Sequence, residues 1–277
     1  MLLLADSRLP AGGHAHSGGA EEAVRIGAIH DLPGLAAFLR GRLATAGLVT
    51  AALAAAACEL GAAHLSASLP PPASGPPAEV PARANGVAPA PRHGPAPANG
   101  SSPDPETSRS GWIRLDAEAD ARISSPAQRV ASRTQGRLLL RTSRRIWPSP
   151  VLDAPAGAVS QGVHHPLALG AVAAVAGCSP AEAALAAAYT SVTGPATAAV
   201  RLLGLDPVAV HRLLADLAPA MERVAATVTT GESGKSRDSP GSWESWESWE
   251  SLPAHAAPAL DLLAEQHIRA DLRLFVS

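Results

Sequence analysis

Apolar side chains recur every three or four residues along most of the chain, which is the spacing of one buried helix face. The clearest run has apolar positions at Val210, Leu213, Leu214, Leu217, Met221 and Val224. No segment shows convincingly the two-residue alternation of a half-buried strand. The pattern predicts an all-α fold built as a single helical-bundle domain.

Capping residues predict where the helices begin. Serine followed by proline, with Gln or Glu two residues after the proline, is the pattern of a capping box with proline at the first helical position. It occurs at Ser125 and at Ser179, and predicts helices from there to about Trp147 and Thr193. Further helices are predicted after Asp31 to about Leu65 with interruptions at Gly41 and Gly47, from Pro207 with a kink at Pro219, and over 258–265.

Two segments are predicted to be disordered insertions within this domain, which otherwise spans residues 1–277. Residues 69–111 are rich in Pro, Ala, Gly and Ser, and residues 229–251 contain three consecutive Ser-Trp-Glu triplets. Neither composition buries enough apolar surface to offset the entropy of ordering the chain. The triplets are interpreted as a local repeat expansion.

Composition narrows the class of protein. The net charge of −2 lacks the basic footprint of a nucleic-acid-binding protein. The two cysteines, Cys58 and Cys178, lie in Ala-rich apolar contexts, which favours buried free thiols in a reducing compartment. The first residues lack the basic region of a signal peptide, and the most apolar run, 43–58, is too short to span a bilayer. We therefore expect a cytoplasmic protein with no membrane partner.

The N-terminal run from Leu9 to Glu22 holds the candidate chemistry. It contains four glycines and the pair His14 and His16, which would lie on the same side of an extended backbone and could share a metal ion. Two ligands do not complete a zinc or nickel site, so a hydrogen-bonding role remains open beside metal contact. His164 and His165 precede a predicted helix and are interpreted as helix-entry residues. Because no catalytic motif is present, we expect a protein that is not an enzyme.

Arginines mark two further stretches. A helix carries Arg133, Arg137, Arg141, Arg144 and Arg145 along one side. This pattern is compatible with a solvated face or with docking of an acidic partner protein. A Gly194-Pro195 break is followed by a small-residue helix with a single Arg201, which would either snorkel, pair with a carboxylate or contact a partner.

Four motifs in this order resemble the urease accessory protein UreF family. The N-terminal element Leu9-Pro10-x-Gly12-Gly13-x-x-x-Ser17-x-Gly19-x-Glu21 resembles that family's Leu-Pro-x-Gly-x-Phe-x-x-Ser-x-Gly-Leu-Glu signature. The other matching segments are His165 to Gly170, Ala198 to Leu202, and the C-terminal Arg273-Leu274-Phe275-Val276-Ser277. His14 and His16 stand where the family often has aromatic residues.

The resemblance implies an all-helical, dimeric, non-catalytic maturation factor. Such proteins bridge UreD (also called UreH) to the nickel-carrying GTPase UreG, and the assembly inserts nickel into the urease apoprotein. Nickel is then cargo of the complex, and no cofactor is stably bound. By analogy, the C-terminal tail orders when UreD binds. The partner-binding residues that the resemblance implies are Gly12, Gly13, His14, His16, Ser17, Glu21, Arg201, Leu274 and Phe275.

Two other functions remain open. The chain could be a direct nickel carrier that uses His14 and His16, with help from His164 or His165. A metal-dependent hydrolase is the weakest alternative, because the carboxylate and third-ligand motifs are missing.

Overall fold

The structure, a computed structural model, describes residues 15–68, 105–230 and 249–276. Regular structure in these ranges is helical and contains no strand, so the all-α prediction is confirmed. The helices are α1 (Ala20–Arg25), α2 (Leu32–Arg42), α3 (Leu48–Ser68), α4 (Pro105–Arg122), α5 (Pro126–Ile146), α6 (Pro150–Ala158), α7 (His165–Val175), α8 (Pro180–Leu203), α9 (Pro207–Thr230) and α10 (Pro258–His267), and a single π-helical stretch, Leu43–Gly47, joins α2 to α3.

The core is built around α3 and α7, which pack closely against each other. The middle of α3 is an alanine-rich run from Ala51 to Cys58 that is buried on all sides. Gly170 of α7 lies so close to α3 that a Cβ atom there would approach the Ala54 carbonyl oxygen to 2.3 Å. Helix α8 also packs against α3. Because alanine and glycine lack long side chains, the helix axes can approach closely. The many dispersion contacts between the closely packed helices then stabilise a core that contains few aromatic side chains.

The continuous helical run Leu32–Ser66 is long and apolar enough to span a membrane. It is longer than the apolar run identified from the sequence, because the helix continues through Gly41 and Gly47. However, 67% of its most apolar window is buried inside the bundle. This degree of burial is typical of the core helix of a helical bundle, since α7 and α8 already cover its surface.

The predicted helix starts are confirmed, with one change of partner. Ser179 and Glu182 form a complete capping box. At α5, the Ser125 hydroxyl accepts a hydrogen bond from the Gln128 amide (3.2 Å), but the Gln128 side chain bonds to Asp261 instead. Glu265 of α10 accepts hydrogen bonds from the Ser125 hydroxyl and from the Ala127 backbone amide. The start of α5 is therefore tied to α10 as well as capped.

The predicted helix break at Gly194-Pro195 is wrong, because α8 continues through it to Leu203. A proline inside a helix has no N–H, so the carbonyl four residues earlier loses its partner. Here that carbonyl belongs to Ser191, and it accepts a hydrogen bond from Nε of Arg42 at 2.8 Å. A side chain from α2 thus replaces the missing backbone donor and allows the helix to continue.

Both predicted insertions are shorter at one or both ends than expected. Helix α4 begins at Pro105, so residues 105–111 are helical. At the other insertion, α9 extends to Thr230, and Trp249 of the last Ser-Trp-Glu triplet is buried beneath the Arg114 guanidinium, 5.6 Å from the ring centroid. The remaining parts of the two predicted insertions, 69–104 and 231–248, lie outside the described residues.

The two cysteines are free thiols, as predicted. Cys58 is buried, and its thiol donates a weak hydrogen bond to the Cys178 carbonyl oxygen at 3.4 Å. Burial raises the pKa of the Cys58 thiol to about 12. Cys178 is only half-buried, so the prediction that both thiols are buried holds for Cys58 alone.

Candidate functional site

The two ends of the described chain meet at the carboxylate of Glu21. Its two oxygens accept hydrogen bonds from the backbone amides of Leu274 (2.7 Å) and Phe275 (3.0 Å). The Val276 amide donates to the Ala15 carbonyl oxygen at 2.6 Å. Hydrogen bonds to a charged acceptor are stronger than neutral ones, so this pairing fixes the backbone of the tail, residues 271–276, against the start of α1.

Phe275 is the buried anchor of the tail. Its ring is 6% exposed, and the guanidinium carbon of Arg201 lies 5.0 Å from the ring centroid. Nε2 of the buried His267 donates to the Phe275 carbonyl oxygen at 3.2 Å. A cation over an aromatic face contributes about 0.5–2 kcal/mol, depending on exposure. Residues from α1, α8, α10 and the tail therefore form one contact cluster, which we call the tail site.

The tail site presents apolar side chains to solvent. Leu272, Leu274 and Val276 are 89%, 70% and 59% exposed, while Phe275 between the last two points inward. Ile268, at the end of α10, is also exposed. Holding this segment in place with its apolar side chains facing outward costs solvation free energy, and such patches commonly mark interaction sites.

The loop before α1 depends on two glycines in the left-handed backbone region. Gly18 and Gly19 have φ values of +59° and +89°. A Cβ atom on Gly18 would also come within 3.0 Å of the Pro195 ring and 3.1 Å of the Arg42 guanidinium. Arg42 donates to the Gly18 carbonyl oxygen at 2.8 Å, so the arginine that completes α8 also holds this loop. Glycine is therefore favoured at positions 18 and 19 of this motif because other residues rarely adopt the backbone conformation found there.

A second polar cluster joins α4, α5 and the loop before α7. The Arg133 guanidinium makes a two-point ion pair with Asp116 (3.2 and 2.8 Å), also pairs with Asp120 (2.6 Å), and donates to the Gly162 carbonyl oxygen. Nε2 of the buried His164 donates to Asp120 at 2.9 Å, while its Nδ1 has no partner among the described residues. Although burial acts in the opposite direction, the hydrogen bond from His164 and the charge of Arg133 keep the pKa of the Asp120 carboxyl below its ordinary value.

The donor atoms of Asp116, Asp120 and His164 lie within 4.8 Å of one another, which is a spacing that metal ligands can have. However, Arg133 already binds both carboxylates and supplies the positive charge that a cation would bring. The arrangement is that of a buried ion-pair network, in which each charge has an opposite partner. Its chemistry is therefore structural, since it locks α4 to α5.

The family model UreF matches residues 29–218. Proteins named urease accessory protein UreF are similar over the whole of this chain and 97% of their own length: 38% identical in Mycobacterium sp. strain JLS, 36% in Mycolicibacterium vanbaalenii and 33% in Mycobacterium tuberculosis. The chain belongs to the UreF family of urease accessory proteins.

The structure brings several of the UreF-like residues together and separates others. Glu21, Arg201 and Phe275 meet in the tail site, and Leu274 lies at its surface. Ser17 is fully buried, so its hydroxyl cannot contact a partner protein in this conformation. The remaining N-terminal candidates, Gly12, Gly13 and His14, lie outside the described residues.

His16 and His165 interact electrostatically. His16 is 7% exposed, and burial lowers its pKa. Burial, with a smaller contribution from the charge of His16, lowers the pKa of His165 to about 4. His164 instead faces the Arg133 network, so the two adjacent histidines have different environments.

Sequence reasoning missed His267 and the acidic partners of Arg133. His267 is an isolated residue, and nothing in its neighbourhood of the sequence indicates that it supports the tail. Asp116 and Asp120 are four residues apart, which places them on one side of a helix. This spacing is the sequence feature that could have indicated an acidic partner for an arginine. The sequence spacing places Arg133 in one series with four other arginines, but the structure shows that it is buried and unavailable to a partner protein.

Acid is expected to destabilise this UreF-family protein before its carboxylates titrate. Burial lowers the pKa values of His16, His64, His164 and His165, so the unfolded chain binds more protons than the folded one below pH 6.5. The contribution of these neutral histidines to the free energy of unfolding is therefore fully present above pH 6.5, and it is lost as the pH drops toward 4. For His165 alone the loss over that window is roughly 3 kcal/mol.

The measurement is guanidinium unfolding followed by circular dichroism at pH 7.5, 6.0 and 5.0. His165→Gln should reduce the dependence on pH, whereas replacement of the exposed His211 by Gln should leave it unchanged. An equal unfolding midpoint at all three pH values would contradict the assignment of these histidines as neutral in the folded protein.

Proposed function

We propose that this UreF-family chain is a non-catalytic adaptor in the maturation of urease. It bridges UreD and the GTPase UreG in the cytoplasm, and the assembly inserts nickel into the urease apoprotein in a GTP-dependent step. The family resemblance also implies a homodimer. The proposal assigns no nucleic acid or membrane partner and no stably bound cofactor, since nickel is the cargo of the complex.

The tail site is the observation that carries this proposal. Residues of three motifs that identify the family, from the N-terminal element, the Arg201 segment and the C-terminus, converge there although they are far apart in sequence. None of them forms a catalytic set, but together they hold exposed Leu272 and Leu274 in a defined place. A segment whose backbone is already held by hydrogen bonds loses less entropy than a free one when a partner covers its outward-facing apolar side chains.

Polar replacement of these two leucines is expected to weaken capture of UreD. The double variant Leu272→Ser and Leu274→Ser removes two side chains that would be buried in the complex, and a loss of roughly 10- to 100-fold in affinity is expected. The measurement is co-purification of UreD and UreG with the full-length tagged chain, followed by the affinity for UreD. Val208→Ser, at a 75% exposed position on α9, is the matched control.

Two outcomes would contradict this proposal at different levels. If the wild-type chain captures neither UreD nor UreG, the adaptor function is wrong. If the chain lacking residues 271–277 still captures both and supports normal urease activation, the adaptor function stands and the role of the tail is wrong.

A direct nickel carrier is the second candidate, and the lowered pKa values of His16 and His165 favour it. Their low pKa values leave both rings neutral at pH 7, which is the form that binds metal ions. Calorimetry with nickel on the purified chain tests the candidate. A tight site that His14→Ala and His16→Ala abolish would support a carrier, and the absence of measurable heat would exclude it.

A further inference from the structure

The C-terminal half of α5 carries four exposed arginines: Arg137, Arg141, Arg144 and Arg145. We call this surface the α5 arginine face. Arg133, on the same helix, turns inward to the acidic residues of α4 and does not belong to it. The exposed and buried arginines of α5 therefore have separate roles, although they form a single series in the sequence.

The charge of this face is largely uncompensated. Arg144 forms an ion pair with Asp153 of α6, and Arg137 donates to the Gln161 carbonyl oxygen at 2.6 Å. Arg141 and Arg145 make no hydrogen bond or ion pair within the described part of the chain. Four positive charges thus face one negative charge, in a protein whose net charge is −2. Like charges on one helix face repel each other, and an acidic partner removes that cost.

The face also has a shape and an apolar component. A shallow depression of about 360 Å³ lies between the end of α5 and the start of α6, and its lining includes Arg141, Arg144, Arg145 and Ser149. Ile146, which follows Arg145 in the sequence, is 45% exposed, and Trp147 is half-buried. Arginine is enriched in protein–protein contact regions relative to the rest of the protein surface.

We propose that the α5 arginine face docks an acidic surface of a protein partner in the urease maturation assembly. The inference rests on the proposed adaptor function and assigns it a second contact surface that is distinct from the tail site. A protein fits better than a nucleic acid, because the basic area is confined to one helix face on a chain with a net charge of −2.

Charge reversal tests this surface. The variant Arg141→Glu with Arg145→Glu changes two exposed side chains without described partners, so the thermal midpoint should stay within a few degrees of the wild-type value. The control Arg212→Glu with Arg223→Glu makes the same change of charge on exposed positions of α9. Arg141→Lys with Arg145→Lys retains the charge.

We expect the glutamate pair on α5 to weaken binding of the full-length chain to UreD, UreG or the urease apoprotein by at least 10-fold. Its affinity should also depend less on salt than that of the wild type. The control pair on α9 should change affinity by less than threefold, and the lysine pair should bind like the wild type. Binding is measured by interferometry with each purified protein between 50 and 300 mM NaCl.

Other results would overturn the inference. Equal weakening by the α5 and α9 pairs would indicate an effect of net charge. Arginine-dependent binding of a double-stranded DNA or RNA oligonucleotide, without any effect on the three proteins, would assign the face to a nucleic acid. If the wild-type chain binds none of the three proteins, the adaptor function fails and this inference fails with it. If the wild type and the α5 glutamate pair bind equally, only this inference fails.

Discussion

Replacing Gly170 by alanine is expected to destabilise the protein by about 3 kcal/mol or more. The added Cβ would lie 2.3 Å from the Ala54 carbonyl oxygen, 2.6 Å from the Ala57 Cβ and 2.8 Å from the Cys58 amide nitrogen. Two of these atoms belong to the backbone of α3, so no rotamer change relieves the clash. The helices must separate, which opens gaps along the most extensive packing surface of the core.

Thermal unfolding followed by circular dichroism measures this effect, and a loss of that size corresponds to roughly 6–12 °C in the midpoint. Gly41→Ala is the matched control, because a Cβ at this exposed position of α2 meets no atom within 4 Å. The control should be stabilised by about 0.5–1 kcal/mol, since alanine favours helix over glycine. A Gly170→Ala midpoint equal to that of the wild type would refute the close packing of α3 and α7.

Arg133→Met is expected to cost about 3–5 kcal/mol, because it leaves the buried Asp116 carboxylate without its cation. Asp116 and Arg133 are 5% and 6% exposed, so water cannot readily replace the lost partner. Asp120 is affected less, since it is more exposed and retains the hydrogen bond from His164. The free energy of unfolding in urea at pH 7.5 measures the loss.

Adding Asp116→Asn separates charge from packing. The amide is neutral, and its oxygen can still accept the hydrogen bond from the His164 backbone amide that Asp116 accepts at 3.2 Å. The double variant should therefore recover part of the stability lost in Arg133→Met. A double variant less stable than Arg133→Met alone would contradict the view that an unpaired buried charge dominates the loss.

Most helices could be predicted because their signals are local. Asp31 accepts from the Gly34 amide, and Ser179 and Glu182 cap each other, as their spacing indicates. The failures had causes elsewhere in the chain. The missed helix α4 has an average hydropathy typical of a solvated segment, but Trp112 and Leu115 bury one side of it. The break predicted at Pro195 is repaired by Arg42, which lies 153 residues earlier in the sequence.

The candidate site was likewise predictable only in part. The motifs identified Glu21, Arg201 and Phe275 as members of a family pattern, but not that they touch one another. The sequence also gave no sign that His267 supports the tail, or that Arg133 is buried while Arg141 and Arg145 of the same helix remain exposed.

By itself the sequence determined the helical class, most helix starts and the family, because periodicity, caps and motifs depend on neighbouring residues. Only the tertiary structure decided which arginines are paired, which glycines are in contact with another helix, and where the tail lies. Those properties depend on the distances between residues far apart in the chain. The hydrogen bonds of Glu21 to residues 274 and 275 are the clearest case, since more than 250 positions of sequence separate their partners.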